Sequence, residues 1–302
     1  MALQVEILAN PVSGRGRGPE RARRIAELLS ARGHAVGLFD DGRSAEDAAA
    51  WAARAARIAD RMIVVGGDGS LNAVLNGLPA TPPPLVLSPL GTANLVAYGL
   101  GLDARPESAA WLVDAGRTQR VDLARADYRD ADSGARRSRL SLMCAGFGLD
   151  GELMRRFDEA RDGPVHKTRY VKYMSEVLRE WTPVPQTVIA DDEPLGEFVY
   201  GVLSGFGVYG LAQFKLGPCD LEDGEWELTL FPNVGLVRTG LAMLAAAGGR
   251  IDRVPGVVRR RVRKVSVAAD APTPLQVDGD YVGNTPLELR LEGAQVRFLV
   301  AP

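Results

Sequence analysis

The sequence is poor in the residues that build disulfide and zinc sites. Its 302 residues include only two cysteines, Cys144 and Cys219, and two histidines, His34 and His166. Two cysteines cannot form a disulfide framework, and so few Cys and His side chains argue against a zinc site.

The sequence also lacks a strong charge and a long apolar run. Its 36 Lys and Arg residues against 38 Asp and Glu residues give a net charge of −2, so binding of nucleic acid is not expected. No run of about 18 apolar residues could cross a bilayer, and the stretch Met1–Asn10 has no basic region of a signal peptide. We expect a cytoplasmic protein, and the composition leaves open a peripheral contact with the inner membrane surface.

Strand-like and helical patterns alternate through the first 120 residues or so. Short apolar runs at Val5–Ala9, Ala35–Phe39, Arg61–Val65 and Leu85–Leu87 are separated by amphipathic stretches, and Ser44 is placed to cap one of these. This alternation predicts βαβ units and a parallel sheet in a Rossmann-like, three-layer α/β domain.

The pattern changes after about Arg120. Strand-like runs then follow one another, and three helical stretches interrupt them at 151–161, 167–181 and 234–247. We predict an α/β nucleotide domain over residues 1–122 and an antiparallel β-sandwich domain over 123–302. Whether the last fifteen or so residues return to the first domain is left open.

Three glycine-rich loops follow predicted strands directly: Asn10–Gly16, Gly66–Ser70 and Pro89–Asn94. Ligands of open α/β sheets bind at the carboxyl ends of the strands. Glycine lets backbone N–H groups approach an anion closely, and a helix N-terminus favours negative charge. The three loops therefore predict a phosphate-binding rim, the alternative being three tight turns.

Two other nucleotide-binding schemes have little support. None of the four lysines lies in these loops, which excludes a Walker A lysine. The pattern Gly-x-Gly-x-x-Gly occurs at Gly146–Gly151 and Gly205–Gly210, but neither match lies in the first βαβ unit, where a dinucleotide-binding fingerprint belongs.

The order Asn-Pro-x-Ser-Gly, Gly-Gly-Asp-Gly-Ser and Pro-Leu-Gly-Thr-x-Asn resembles the diacylglycerol kinase catalytic-domain family, which includes sphingosine and ceramide kinases and bacterial soluble lipid kinases. The similarity continues at Gly146–Asp150, at the acidic turn 218–224 and at Val277–Asp280. It implies the two-domain fold shared with NAD kinases. It also implies ATP-dependent transfer of a phosphoryl group to a lipid hydroxyl at a membrane surface, with Mg²⁺ as cofactor.

The resemblance also implies roles for particular residues. Asp280 would be the catalytic base and Asp278 would orient it or the substrate; strand alternation predicts that both lie on one face, and a plain Asp-Gly hairpin turn is the alternative. Asp68 would hold Mg²⁺ on the phosphates, order its loop or cap a helix. The residues expected to bind ATP are Asn10, Pro11, Ser13, Gly14, Arg15, Gly66, Gly67, Asp68, Gly69, Ser70, Leu71, Asn72, Gly91, Thr92 and Asn94.

The acidic turn offers the oxygen ligands that Mg²⁺ prefers. Asp220, Asp223 and Glu225 are its candidate metal ligands, and the resemblance implies that the ion there is structural. An ordinary acidic β-turn is the alternative, because Asp-Gly is a turn signal in its own right.

The sequence departs from the family pattern at several acidic positions. Ala73 stands where the family has Glu, Leu95 where it has Asp, and Asp280 where it has Glu; Gly151 replaces a common Ala. Two alternatives therefore stay open. One is an NAD kinase-like or polyol kinase of a soluble substrate, and the other is a catalytically weak nucleotide-binding regulator. The sequence identifies neither the lipid nor the oligomeric state.

Overall fold

The computed structural model describes residues 1–42, 44–160, 167–209, 214–215, 219–232, 245, 250–251, 254–268 and 270–302. The chain forms two compact units, Met1–Val121 together with Ala294–Pro302, and Asp122–Gly293. The predicted helix at 234–247 lies outside the described residues, apart from residue 245.

The first unit alternates strands with helices. Its elements are β1 (Gln4–Ala9), α1 (Ser13–Gly16), α2 (Gly18–Ser30), β2 (Ala35–Phe39), α3 (Ala45–Ala55), β3 (Arg61–Gly66), α4 (Asp68–Leu75), β4 (Leu85–Pro89), α5 (Leu95–Gly99) and α6 (Pro106–Ala115).

The sheet of this unit is parallel, in the order β4-β3-β1-β2. Its strands are nearly continuous apolar runs, as expected for strands covered on both faces, and Ile7 and Ile63 are fully buried. Ser44 caps α3 in a capping box with Asp47, which satisfies free backbone N–H groups at the start of the helix. The predicted α/β organisation and the predicted cap are confirmed.

The second unit consists mainly of strands. Its elements are β5 (Arg117–Asp130, shared with the first unit), β6 (Arg136–Ser141), β7 (Cys144–Phe147), α7 (Leu149–Ala160), α8 (Lys167–Glu180), β8 (Gln186–Ala190), β9 (Glu193–Phe198), β10 (Tyr200–Ser204), β11 (Val208–Tyr209), β12 (Phe214–Lys215), β13 (Trp226–Phe231), β14 (Val258–Val262), β15 (Lys264–Ala268), β16 (Pro274–Val277) and β17 (Asp280–Val300, which continues into the first unit).

Antiparallel pairing links β14, β13, β10, β7, β16 and β17 in that order. The side chains of Phe147 and Trp226 fill the centre of the apolar core, so the predicted antiparallel β unit is confirmed. The prediction of a single strand over Arg139–Ala145 is wrong, because Leu142 and Met143 interrupt it and separate β6 from β7. None of the described helices combines the length and the apolar character needed to cross a bilayer.

Candidate active site

The first loop is connected to the second by a side-chain hydrogen bond. The Asn10 amide Nδ2 donates to Ser70 Oγ at 2.7 Å, and Asn10 Oδ1 accepts from the backbone N–H of Val12 at 3.0 Å. Asn10 therefore joins the end of β1 to the first turn of α4. Pro11 and Ser13 are half-buried within this loop.

The first loop continues through three consecutive residues with positive φ. Gly14 (φ 59°), Arg15 (φ 62°) and Gly16 (φ 84°) all lie in the left-handed region. Glycine adopts this conformation readily, but an arginine there is strained. Such strain concentrates at functional loops. The Arg15 side chain is exposed to solvent.

The second and third loops touch through their backbones. A Cβ atom placed on Gly67 would lie 2.8 Å from the Cα of Gly91, and one placed on Gly91 would lie 2.6 Å from the Cα of Gly67. Leu90 N–H also donates to the Gly66 carbonyl at 2.8 Å. Only residues without side chains fit this crossing, so the ends of β3 and β4 form one continuous glycine surface.

Asp68 orders the third loop. Its carboxylate accepts from the backbone N–H groups of Leu95 at 3.0 Å and Val96 at 3.3 Å, the first two residues of α5. Asn94, in the left-handed conformation with φ 48°, closes the loop by exchanging hydrogen bonds with the backbone of Gly91. Of the roles predicted for Asp68, the geometry fits the ordering of a loop, by capping α5 rather than its own helix.

The other residues predicted to bind ATP divide by exposure. Gly69, Gly91 and Thr92 are exposed on the rim of the loops. Leu71 and Asn72 are buried, at 1% and 4% exposure, in a helix that packs against β3 and α3. Their side chains belong to the interior of the unit, so the predicted contact of Leu71 and Asn72 with ATP stays a prediction that could involve only their backbone.

A cavity of about 510 Å³ opens beside the first and second loops, within the first unit. Its walls come from the ends of β1 and β2 and from the first turns of α3 and α4. Most of its lining is apolar, with a few hydroxyl and amide groups. The lining includes Asn10, Phe39, Ser44, Ala48, Ser70 and Ala73.

In the second unit, Asp278 is buried in a tight hairpin between β16 and β17. Asp278 (φ 53°) and Gly279 (φ 85°) take the two left-handed positions of a type I′ turn. The Asp278 carboxylate, on a residue that is only 6% exposed, accepts four hydrogen bonds from the break between β6 and β7. The donors are Ser141 Oγ (2.8 Å), Leu142 N (3.0 Å), Met143 N (2.9 Å) and Cys144 N (3.0 Å).

Asp280 lies on the other side of this turn and is open to solvent. Its side chain is 58% exposed and pairs with Arg139 of β6 at 3.2 Å. The prediction that Asp278 and Asp280 share one face is wrong, because the left-handed turn interrupts the strand alternation. Partial loss of water around Asp280 raises the pKa of its carboxyl. Arg139 lowers that pKa, and the charges of Asp278 and Asp158 add to the rise.

The acidic turn does not gather its three predicted ligands. Asp223 pairs with Arg261, and Glu225 pairs with Arg261 at 3.4 Å and Arg263 at 3.2 Å. Asp220 accepts the backbone N–H of Glu222 at 3.0 Å. Among the described residues, no three His, Cys, Asp or Glu side chains are grouped closely enough to hold a metal ion. Asp220, Asp223 and Glu225 together therefore do not fit the implied site.

A buried carboxylate beside this turn was not predicted. Asp122 is 2% exposed, and its Oδ2 accepts from Gly224 N at 2.7 Å. Its Oδ1 has no hydrogen-bond partner among the described residues. Burial raises the pKa of the Asp122 carboxyl, and the charges of Asp220 and Glu222 act in the same direction. Mg²⁺ often binds through one or two carboxylates and water, so a cation at this turn fits Asp122 better than the predicted set.

Three residues of the second unit were thus missed: Asp122, Arg139 and Ser141. For Asp122 the available signal was a carboxylate within the otherwise apolar stretch Val121–Ala124, all four residues of which are buried. The partners of the three missed residues lie between 102 and 141 residues away in sequence, which no local pattern reveals.

Comparisons with known proteins show which family this arrangement is similar to. The sequence model described as the diacylglycerol kinase catalytic domain matches residues 4–126, which contain all three loops. A diacylglycerol kinase of Staphylococcus saprophyticus is 27% identical over 294 residues, covering 95% of this chain and 92% of the relative. One of Mycobacterium tuberculosis is 27% identical over 303 residues, covering 98% and 94%.

The fold is found in solved structures as well. A candidate diacylglycerol kinase from Bacillus anthracis superposes with a TM-score of 0.80 and 20% identity, over 100% of this chain and 97% of the other. The similarity covers both parts of the fold, the mostly parallel N-terminal sheet and the antiparallel strands that follow. The chain therefore resembles the diacylglycerol kinase catalytic-domain family over residues 4–126 and diacylglycerol kinases over nearly its whole length, which supports a kinase.

Proposed function

We propose that this kinase transfers the γ-phosphoryl group of ATP to the hydroxyl group of a membrane lipid, with diacylglycerol as the first candidate. The observation that carries the proposal is the continuous glycine surface formed by Gly67 and Gly91 at the ends of two parallel strands. The names of the relatives support a diacylglycerol acceptor.

The loops suit the polyphosphate of a nucleotide. Backbone N–H groups at the start of α4 point out of the helix, and its dipole favours an anion there. The exposed rim residues Gly69 and Thr92 leave room for phosphate oxygens to approach, and Arg15 adds a positive charge from the first loop.

The cavity beside these loops suits the nucleoside. Its volume of about 510 Å³ lies within the usual range for small-molecule sites, and its apolar walls match the faces of a purine base. Ala73, in place of the family's glutamate, removes a carboxylate from this wall. The binding of ATP would therefore depend on shape and on the hydroxyl groups of Ser44 and Ser70.

The acceptor side of the reaction needs a group that takes the hydroxyl proton. Asp280 is exposed, and its raised pKa makes it a better proton acceptor than an ordinary aspartate. Asp278 is unsuited to this role because four hydrogen bonds already occupy its carboxylate. We assign base catalysis to Asp280, and to Asp278 the holding of the hairpin.

Mg²⁺ would enter as the usual partner of the ATP phosphates. The predicted ligand set of the acidic turn does not fit it, and the Asp68 carboxylate is engaged with the start of α5. We assign no step of the reaction to a protein-bound ion. We expect activity to depend on Mg²⁺ because the ion binds the phosphates of ATP.

The test incubates the full chain with labelled ATP and Mg²⁺ and, separately, diacylglycerol, a sphingoid base, ceramide and NAD. Labelled phosphatidic acid is the expected product. Asp280→Asn, the matched control, should bind ATP like the wild type and lose at least about a hundredfold in turnover. Labelled NADP in place of a phospholipid would establish the soluble-substrate kinase. ATP binding without any product would favour the regulator.

A further inference from the structure

The environment of Asp280 contains one cationic partner that the reaction described above has not used. Arg139, in β6, places its Nη2 atom 3.2 Å from Asp280 Oδ2, and its side chain is only 19% exposed. The guanidinium is mostly buried, whereas the carboxylate that it contacts is 58% exposed. Arg139 therefore approaches Asp280 from the protein side and leaves the rest of the carboxylate open to solvent.

Partial loss of water around the Asp280 carboxyl disfavours its ionised form, and two neighbouring carboxylates oppose its negative charge. These are Asp278, across the hairpin, and Asp158, on α7. Tyr128, on β5, is a further titratable neighbour, and it is uncharged because its own pKa is raised. Among the described residues, Arg139 is the group whose charge favours an ionised Asp280.

We propose that Arg139 is a positioning residue, which keeps the Asp280 carboxylate ionised and oriented so that it can take the proton of the acceptor hydroxyl. The inference rests on the proposed function. In that step the hydroxyl proton passes to Asp280 while the acceptor oxygen forms its bond to the γ-phosphorus and the bond from that phosphorus to the ADP oxygen breaks. A protonated Asp280 cannot accept the proton, so activity falls as the pH drops through the pKa of Asp280.

This arrangement predicts the sign of the effect of losing Arg139. Without the guanidinium, the partial loss of water around the carboxyl and the two neighbouring carboxylates act unopposed, so the pKa of Asp280 rises further. An opposite charge in direct contact typically changes a carboxyl pKa by about one unit or more. We expect the low-pH limb of the activity profile to move upward by about one unit.

The experiment compares four forms of the full chain: wild type, Arg139→Gln, Arg139→Lys and Arg137→Gln. Arg137 is the matched control because it lies on the same strand but pairs with Asp130, at 4.0 Å. If Arg139→Gln does not fold, Arg139→Met gives the same comparison. The first measurement is the titration of the Asp280 carboxyl by carbon-13 NMR, assigned with Asp280→Asn, which needs no substrate. The second is kcat/KM against pH with ATP and diacylglycerol in mixed micelles.

We expect the pH midpoint of the Asp280 titration to be about one unit higher in Arg139→Gln, near the wild-type value in Arg139→Lys and unchanged in Arg137→Gln. The low-pH limb of the kcat/KM profile should move in parallel. An unchanged midpoint in Arg139→Gln would overturn the inference. So would a midpoint that moves while the kinetic limb does not. A fully active Asp280→Asn would instead remove the base from the proposed function, and that failure is recognisable without any Arg139 variant.

Discussion

Replacement of Gly67 by alanine tests the contact between the second and third loops. The added Cβ would lie 2.8 Å from the Cα of Gly91 and 3.4 Å from its backbone nitrogen. Carbon atoms in contact normally lie about 3.5–4.0 Å apart. The loops must therefore separate by roughly 1 Å, and backbone on both sides makes this displacement costly.

The size of the effect follows from this displacement. Overpacking of a tight contact typically costs about 1–3 kcal/mol of unfolding free energy. A displacement of about 1 Å in a group that binds substrate can reduce the rate about a hundredfold. We expect Gly67→Ala to lower the unfolding free energy by about 1–3 kcal/mol. We also expect it to lower kcat/KM for ATP by about two orders of magnitude.

Gly69 provides the matched control in the same loop. A Cβ atom on Gly69 meets no protein atom within 4 Å, and the residue lies in the first turn of α4. Alanine in a helix is favoured over glycine by roughly 0.5–1 kcal/mol, so Gly69→Ala should be as stable as the wild type or more so. Denaturant unfolding compares the stability of the two variants, and steady-state kinetics at varied ATP concentration gives kcat/KM for Gly67→Ala. Wild-type stability together with wild-type kcat/KM in Gly67→Ala would refute the reasoning.

Three further predictions concern carboxylates. Asp278→Asn places an amide against four donors and should lower the unfolding free energy by about 1–3 kcal/mol. Asp280→Asn, in contrast, should unfold like the wild type. Equal unfolding curves for the two variants would contradict the assigned roles. Asp68→Ala removes the acceptor at the start of α5 and should lower the unfolding free energy by about 1 kcal/mol. Asp68→Asn should lower it by less. A higher melting temperature for Asp68→Ala than for Asp68→Asn would exclude the cap. If a cation binds at Asp122, the wild type should melt at a higher temperature with Mg²⁺ than with a chelator. Asp122→Asn should abolish this increase and Asp223→Ala should retain it. Identical melting of the wild type in both solutions would exclude a cation there.

The local organisation of the first unit could be predicted because its signals are local. The cap at Ser44, the helix at Pro106–Ala115 and the strand at Ala35–Phe39 each follow from residues a few positions apart. The glycine loops were also predictable, because each follows a strand directly. The crossing of Gly67 and Gly91 was not, since it depends on the exact approach of two neighbouring strands.

The second unit was harder to predict because its decisive contacts are distant in sequence. Asp278 lies 134 or more residues from each of its four donors, so its Asp-Gly signal indicated a turn but not a buried carboxylate. The acidic turn likewise indicated a cation, and Arg261, 38 residues beyond Asp223, supplies the positive charge instead. The chemical character of each segment was predictable, but its partner was not.

The last strand has a consequence for how the chain is made. β17 begins at the hairpin beside Asp278, and its final residues belong to the first unit, where the fully buried Phe298 lies in register with Leu85 at the edge of the parallel sheet. During synthesis, more than two hundred residues follow β4 before this neighbouring strand is made. A fragment ending at Val121 would leave that edge unpaired, and open strand edges favour aggregation. The parallel sheet of the first unit therefore depends on the completed synthesis of the second unit, although most of the first unit comes first in the sequence.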